Sequence, residues 1–441
     1  MIKRTILLTI SFTCLLLPTF STIYYVAPNG NDAKKGSREE PFATVQHAQE
    51  IVNPGDTVFI RGGLYKMNES QIAQKTRIYA CITYLNKNGT ENKRINYWAY
   101  PGEKPVFDYS DVKPEGYRVI AYQVAGSWIH IRGLEVIGVQ VTIKTHTQSE
   151  CIEINGSNNI LEQLGMHDGQ AIGIYCLNGS NNLILNCDAY RNWDFTSENG
   201  RGGNTDGFGC HPRKGAINNV FRGCRAWFNS DDGYDCINAA ESVTFENCWS
   251  FYNGFSSAFV SLGDGNGFKA GGYGKTPVDK LPDPIPGHTV KFCLAVRNKA
   301  NGFYSNHHLT GSSWINNSAY ENKVNYNMLC RLQDNVTDVD GYGHKMRNNL
   351  GYKASNAETA SINKPQCDLL NNYFNMNLTI TDTDFQSLDE ALLLSPRKAD
   401  GSLPDIAFMK LQPNSILIDK GADVGYSFNG KTPDLGAFEG K

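Results

Sequence analysis

The stretch NSDDGYDCIN, residues 229–238, contains three carboxylates close together: Asp231, Asp232 and Asp235. Crowded carboxylates repel one another and raise one another's pKa unless a positive group lies among them. A cation held by such a group could in turn bind and polarise an acidic substrate. The first question is therefore which cation these residues hold, and which elements bring it partners from elsewhere in the chain.

Related stretches carry a glycine followed by an aromatic residue. The four copies are TDGFGC (205–210), DDGYDC (231–236), GNGFKA (265–270) and ANGFYS (300–305). The residue before this glycine is an acid in two copies and an amide in two, in the order Asp206, Asp232, Asn266 and Asn301. The residue after the aromatic changes from copy to copy, in the order Gly209, Asp235, Lys269 and Tyr304.

The elements that must position these residues form a repeat. Short alternating apolar runs accompany the copies, and they end at Asn192, Asn229, Asn253, Asn298 and Asn322. Self-similarity of this kind indicates a solenoid, and short strands separated by Gly, Asn and Asp turns indicate coils built from strands. The sequence therefore predicts an all-β protein, a right-handed parallel β-helix. Apolar residues at helical spacing over 43–52 predict a short helix that caps its first coil.

Stacked coils place equivalent residues about 4.8 Å apart, so inward side chains should form ladders along the axis. We expect one aromatic ladder of Phe208, Tyr234, Phe268 and Phe303. We expect small-residue ladders of Cys210, Cys236, Ala270 and Ser305, and of Cys187, Cys224 and Cys248. The cysteines are then small core residues rather than zinc ligands. The turn asparagines should hydrogen-bond to one another along their own ladder.

The same register predicts a polar site on the outer face. Side chains alternate along a strand, so the residue after each inward aromatic points outward. Lys269 should lie one coil above Asp235, and Asp206 one coil below Asp232. This gathers four carboxylates, and a hard dication that takes six to eight oxygen ligands fits them, with Ca²⁺ the first choice over Mg²⁺ or zinc. Aspartates before glycine are also common turn formers, which is the alternative interpretation.

Lys269 lies in an open, glycine-rich setting, DGNGFKAGGYGK. One interpretation is a salt bridge to Asp235 that keeps the ammonium charged. A bound Ca²⁺ would neutralise Asp235 and lower the pKa of Lys269, which favours the neutral amine. A neutral amine beside a metal that grips a carboxylate can remove a proton α to that carboxylate. In a uronate this proton is on C5, and loss of the C4 oxygen completes a β-elimination.

At these residues the chain resembles polysaccharide lyase family 9, whose members are right-handed β-helices acting on pectic polysaccharides. The resemblance is carried by NTDGFG, NSDDGYD and GNGFKAGG and is clearest over 150–330. It implies that Asp206, Asp231, Asp232 and Asp235 bind a catalytic Ca²⁺ and that Lys269 is the base. It also implies an acidic plant cell-wall polysaccharide as substrate.

The family includes enzymes for polygalacturonate and for the alternating rhamnose–galacturonate backbone of rhamnogalacturonan I. Polygalacturonate carries a carboxylate on every sugar, so its cleft should be rich in cations. The candidate substrate residues are a mixture of cations, one histidine and aromatic rings: Arg201, His211, Arg213, Lys275, Arg331, Tyr273, Tyr304 and Trp314. The aromatic share favours rhamnogalacturonan I, although each residue taken singly is also an ordinary surface residue.

The chain of 441 residues has a net charge of −3, which gives no indication of nucleic-acid binding. Residues 1–21 read as a secretory signal, with Lys3 and Arg4 before an apolar run too short to span a membrane. We therefore expect an exported, monomeric protein with one catalytic domain at 22–441. Its N-terminal cap should cover about 22–65, and a closing region about 350–441.

Two other functions fit part of the pattern. An inverting glycoside hydrolase on the same fold could use Asp206, Asp231 and Asp232 as acid and base. A non-catalytic carbohydrate-binding solenoid could hold Ca²⁺ for structure alone. Neither gives Lys269 a role, and fold by itself does not decide function.

Overall fold

The computed structural model describes residues 21–440, so the predicted signal segment lies almost wholly outside the described residues. Within that range the chain winds through three long sheets whose neighbouring strands pair in parallel, apart from the antiparallel pair β4 (Gln74–Lys75) and β5 (Tyr79–Leu85). Sheet A consists of β1 (Ile23–Val26), β2 (Thr57–Ile60), β6 (Ile95–Ala99), β9 (Ile129–Arg132), β12 (Ile160–Glu162), β15 (Leu183–Leu185), β18 (Asn219–Arg222), β21 (Val243–Glu246), β24 (Thr289–Lys291), β27 (Ser313–Ile315), β32 (Lys345–Arg347) and β35 (Asp368–Leu370).

The other two sheets complete each coil. Sheet B consists of β3 (Gly63–Lys66), β7 (Pro105–Asp108), β10 (Glu135–Ile137), β13 (Gly165–His167), β16 (Asp188–Tyr190), β19 (Arg225–Trp227), β22 (Trp249–Phe251), β25 (Leu294–Val296), β28 (Ser318–Tyr320) and β33 (Leu350–Tyr352). Sheet C consists of β4 (Gln74–Lys75), β5 (Tyr79–Leu85), β8 (Arg118–Val124), β11 (Glu150–Ile154), β14 (Ile172–Cys176), β17 (Phe208–Cys210), β20 (Tyr234–Asp235), β23 (Phe268–Lys269), β26 (Asn301–Tyr304), β29 (Val324–Asn327) and β34 (Ala357–Ala360).

Few elements lie outside these sheets. One helix, α1 (Val45–Ile51), begins after Thr44, whose side chain accepts a hydrogen bond from the backbone N–H of His47. It packs against β1, β2 and β5 in the first coils, as the sequence predicted for a cap. A small hairpin pairs β30 (Cys330–Arg331) with β31 (Asp338–Val339). Short 3₁₀ helices cover Glu69–Gln71, Val278–Lys280, Lys364–Gln366, Tyr373–Asn375, Asp382–Asp384 and Glu390–Leu394. No helix among the described residues is long and apolar enough to cross a bilayer.

The core is the lumen of the coils, and its ladders are those that the repeat predicts. Phe208, Tyr234, Phe268 and Phe303 stack with ring centroids 5.0, 4.6 and 5.2 Å apart, and Tyr326 extends the stack by 5.0 Å. The predicted cysteine ladders are buried as free thiols, and Cys293 continues the second of them. The solenoid thus brings each outward residue of sheet C into line with its neighbours one coil away.

The turn asparagines form the predicted polar ladder. The side-chain N–H of Asn192 donates to Oδ1 of Asn229, and the side-chain N–H of Asn229 donates to Oδ1 of Asn253, at 3.1 Å in both cases. The series continues through Asn298 and Asn322, with two further distances of 3.0 Å. Each amide also donates to a backbone carbonyl of the coil below, so these buried groups are satisfied and the coils stay in register.

Part of the C-terminal region, for which the sequence predicted a closing role, contacts the side of the solenoid. It folds back along the side of sheet B, where Arg397 pairs with Asp188 and the carbonyls of Leu393 and Ser395 accept hydrogen bonds from Arg225. Asp188 holds Arg225 as well as Arg397. These contacts join neighbouring middle coils, and the repeat pattern, which stops before residue 393, does not predict them.

Candidate active site

The site lies on the outer face of sheet C, where β17, β20 and β23 run side by side. Asp235 pairs in register with Gly209 below it and with Lys269 above it. Tyr304 continues the same outward ladder one coil further up. The alternation inferred from the sequence is therefore correct, because the aromatic neighbour of each of these residues points into the core.

Three carboxylates meet at this point. Asp206, Asp232 and Asp235 each offer an oxygen, and these atoms lie within 4.8 Å of one another. Asp231 lines the same cavity but is not part of this tight group. Its Oδ1 accepts the backbone N–H of Asp264 at 2.8 Å, which turns the carboxylate toward the neighbouring loop. The structure thus brings together three of the four predicted ligands closely and the fourth at the rim.

Backbone amides fix one oxygen of each aspartate. Oδ1 of Asp206 accepts the backbone N–H of Asp232, and Oδ1 of Asp231 accepts that of Asp264. Oδ1 of Asp232 accepts the N–H of Asn266, and Oδ1 of Asp235 accepts that of Ile237. The distances are 3.1, 2.8, 2.6 and 2.7 Å in that order. This leaves the second oxygen of each side chain for another partner. For Asp206 and Asp232 the amide belongs to the next coil, for Asp231 to a neighbouring loop, and for Asp235 to the chain two residues further on.

Lys269 supplies the positive charge among these oxygens. Its Nζ lies 3.0 Å from Oδ2 of Asp232 and 3.0 Å from Oδ2 of Asp235. Oδ2 of Asp232 is fully buried and accepts no hydrogen bond of good geometry, so the ion pair is its main compensation. The sequence predicted Asp235 as the partner of Lys269, and Asp232 is a second one.

Burial and mutual repulsion set the protonation of the group. Burial raises the pKa of Asp206 and of Asp231 well above the usual range, and the neighbouring aspartates raise it further. Burial also raises the pKa of Asp232, although Lys269 opposes that rise. Burial disfavours the charged form of Lys269, but the aspartates outweigh it and raise the pKa of this lysine well above its usual value. A single ammonium therefore does not neutralise the site, which still attracts positive charge.

The donor set fits a hard cation. All four side chains offer carboxylate oxygens, and a backbone amide holds Oδ1 of each one. Lys269 pairs with Oδ2 of Asp232 and Asp235. Oxygen ligands of this kind suit Ca²⁺, which accepts flexible geometry. His211 also lines the site, and its Nδ1 donates to the carbonyl of Ile237 at 2.6 Å. Burial lowers its pKa, so the ring is neutral, and Tyr175 stacks on it.

A cavity of about 430 Å³ opens over this group. His211 and Arg213 line it, as the sequence predicted, together with Asp264, Tyr175 and His146, which sequence reasoning missed. Asp264 stands two residues before Asn266 of the third copy, so its position beside the repeat could have identified it as a site residue. Tyr175 and His146 lie in a more divergent coil and in a connecting loop, where the repeat gives no register.

The remaining predicted substrate residues have different environments. Arg201 and Lys275 are exposed on loops beside the cavity but do not line it. Arg331 is held by Oδ1 of Asp338 at 2.8 Å and by the carbonyl of Gly274 at 2.9 Å. Tyr304 is partly exposed on the cleft face, one coil above Lys269.

Two of the predicted stacking rings are not available for a sugar. Tyr273 is 2 % exposed, and its hydroxyl donates to the carbonyl of Ala239 at 3.0 Å. Trp314 is 0 % exposed and packs against Phe303 inside the lumen. These two expectations were wrong because Trp314 occupies an inward strand position, and the Tyr273 ring is buried against His308 with its hydroxyl bonded to Ala239.

Comparison with known proteins agrees with this architecture. The model of the Pel9A-like, right handed beta helix region matches residues 24–349. The chain is 34 % identical to pectate lyase L of Dickeya dadantii (strain 3937), over 95 % of this chain and 90 % of that protein. Among solved structures, a rhamnogalacturonan lyase matches with 44 % identity and a TM-score of 0.86, covering 89 % of this chain and 97 % of the other.

The crystal structure of pectate lyase Pel9A matches with 31 % identity and a TM-score of 0.75, covering 96 % of this chain and 97 % of that one. The predicted right-handed parallel β-helix and the resemblance to polysaccharide lyase family 9 are both confirmed. The chain therefore belongs to the Pel9A-like family of right-handed β-helix proteins.

Proposed function

We propose that this protein is a pectic polysaccharide lyase that cleaves at galacturonate by β-elimination, with Ca²⁺ held by the four aspartates and Lys269 as the base. One observation carries the proposal: Nζ of Lys269 lies 3.0 Å from carboxylate oxygens of both Asp232 and Asp235, at the edge of a donor set suited to a hard cation. An amine at the border of a metal site is placed to receive a proton acidified there.

Each residue has a defined task in this reaction. When bound, Ca²⁺ would neutralise the aspartates, grip the uronate carboxylate and acidify the proton on C5. Lys269, as the neutral amine, takes that proton on Nζ. The electron pair left at C5 forms the C4–C5 double bond while the bond from C4 to its glycosidic oxygen breaks. That oxygen leaves with the preceding sugar and takes a proton from water.

Rhamnogalacturonan I is the favoured substrate. The chain is 44 % identical to the protein named rhamnogalacturonan lyase and 34 % identical to the one named pectate lyase L. The cleft also offers few cations for a substrate with a carboxylate on every sugar: Arg213 lines the cavity, whereas Arg331 is tied to Asp338 and Gly274. Polygalacturonate is the second candidate, supported by the relatives named pectate lyase.

The geometry argues against a hydrolase. An inverting glycosidase separates its two carboxyl groups by about 6.5–9.5 Å to admit a water. Oxygens of Asp206, Asp232 and Asp235 lie within 4.8 Å of one another, with an ammonium beside them. A purely structural Ca²⁺ site would not need a lysine that competes with the metal for the same oxygens.

We further propose that the protein is exported by its N-terminal segment and acts as a monomer on plant cell-wall polysaccharide. The apolar run after Lys3 and Arg4 supports export. The substrate is a polymer outside the cell, which agrees with this location. The signal segment covers residues 1–21, and the catalytic domain 22–441.

Analysis of the new chain ends tests the reaction and the substrate together. Elimination in rhamnogalacturonan I yields an unsaturated uronate at one new end and a rhamnose at the new reducing end. Elimination in polygalacturonate leaves galacturonate at the reducing end instead. Mass spectrometry identifies the new ends formed from each polymer. We expect the unsaturated uronate and rhamnose ends of rhamnogalacturonan I to form faster than the new ends of polygalacturonate. Saturated products with added water would contradict the lyase assignment and favour the hydrolase.

A further inference from the structure

Beside the site lies a loop, residues 254–265, that interrupts the repeat between the second and third copies. Its neck is narrow, because an added Cβ on Gly254 would lie 2.5 Å from Cα of Gly265. The backbone N–H of Leu262 donates to the carbonyl of Gly254 at 2.8 Å, which closes this neck. At the tip, Phe259 packs against Phe228 and Tyr252.

The returning arm of this loop contacts the metal-binding candidates directly. The N–H of Gly263 donates to the carbonyl of Ser230 at 2.7 Å. The N–H of the next residue, Asp264, donates to Oδ1 of Asp231 at 2.8 Å. The orientation of the Asp231 carboxylate therefore depends on where this arm lies.

Lys299 holds the returning arm from the other side. Its Nζ donates to the carbonyl of Leu262 at 2.9 Å and also to the carbonyl of Gly263. Its stem passes close to the neck, because a Cβ on Gly254 or on Gly265 would lie 2.7 Å from Cβ of Lys299. Within the described residues no acidic side chain forms an ion pair with Lys299, and no backbone N–H donates to these two carbonyls.

We propose that Lys299 is a positioning residue for the metal site: its ammonium fixes the carbonyls of Leu262 and Gly263, and the Asp264 amide then orients Asp231. This inference rests on the proposed function only in naming Ca²⁺ as the bound cation. Lys299 does not touch the cavity, which is lined by Asp231, Asp264 and their neighbours. Its action is therefore indirect, through the backbone of residues 262–264 to the carboxylate of Asp231.

A purely electrostatic role and a positioning role of Lys299 predict opposite effects of its substitution on Ca²⁺ affinity, which makes the proposal testable. Removing a cation near a metal site by electrostatics alone should strengthen Ca²⁺ binding. Loss of a support for a ligand should weaken it, and mutations in such supporting shells typically cost about 10–100-fold in metal affinity. Lys299→Met keeps the length of the stem but removes the ammonium. Lys299→Arg keeps a donor, and Lys323→Met removes an exposed cation in the neighbouring coil as a control.

The experiment is calorimetric titration of each full-length variant with CaCl₂, combined with hydrogen exchange of the Gly263 and Asp264 amides. We expect Lys299→Met to bind Ca²⁺ about tenfold more weakly and to exchange these two amides faster. Lys299→Arg should recover most of the affinity, and Lys323→Met should match the parent. Unchanged or tighter Ca²⁺ binding by Lys299→Met, or unchanged exchange of the two amides, would overturn the proposal. If the parent binds no Ca²⁺, the metal part of the proposed function fails, and the exchange rates alone then decide the role of Lys299.

Discussion

Three buried histidines make the stability of this protein steeply dependent on pH below neutrality. His288, His308 and His344 lie between sheets A and C, and burial lowers their pKa to about 3, about 4 and about 4. Backbone amides donate to Nδ1 of each ring, from Val243, Gly272 and Ser312. All three rings are thus held neutral in the folded protein.

The sign and size of the effect follow from linkage. Because the folded pKa lies below the unfolded value of 6.5, the unfolded chain binds more protons between about pH 4 and pH 6.5. The contribution to stability is complete above pH 6.5 and is lost as the pH falls through this window. At pH 5 each histidine costs about 2 kcal/mol relative to neutral pH, or about 6 kcal/mol for the three.

Urea unfolding followed by circular dichroism at pH 7, 6 and 5, with Ca²⁺ saturating throughout, measures this dependence. His308→Asn should be less stable than the parent at pH 7 but lose about 2 kcal/mol less between pH 7 and pH 5. His47→Asn, on the surface helix α1, serves as the control and should follow the parent. If His308→Asn kept the full pH dependence of the parent, the buried histidines would not be its source.

Other perturbations test the site and the fold. Lys269→Ala should lower turnover by about 10²–10⁴-fold while Ca²⁺ binding and the circular dichroism spectrum are retained, and Lys275→Ala should have no such effect; near-normal turnover of Lys269→Ala would remove this residue as the base. Asp188→Ala should cost about 3–5 kcal/mol in unfolding free energy and expose the segment around Arg397 to limited proteolysis, because it leaves two arginines without their shared partner. Asn253→Ala should cost about 1–3 kcal/mol, since it interrupts a buried amide ladder, and an unchanged thermal midpoint would contradict that role.

The repeat made most of the fold and the centre of the site predictable. A strand pair fixes side-chain direction by alternation, so aligning the four copies was enough to place Lys269 above Asp235 and Phe268 above Tyr234. Parallel stacking then converts a correspondence in sequence into a distance in space. This is why the amino-acid sequence alone predicts that the acids lie together.

Features outside the repeat were less predictable. The side-chain direction of Tyr273 depends on a glycine-rich loop with positive φ at Gly271 and Gly272, which carries no periodic signal. The C-terminal segment is recognised by single contacts, such as Arg397 with Asp188, between residues far apart in sequence. Asp231 stands next to Asp232 in sequence, but a loop amide from Asp264 turns it to the rim of the group.

The central claim is that a Ca²⁺ site and Lys269 together eliminate across the C4–C5 bond of a galacturonate. The most direct measurement is ultraviolet absorbance of the unsaturated product when the purified protein acts on rhamnogalacturonan I, first with Ca²⁺, then with excess chelator, then after Ca²⁺ is restored. We expect a rise in absorbance that stops with chelator and resumes with Ca²⁺. New reducing ends without any rise in absorbance, or a rise that persists in chelator, would contradict it.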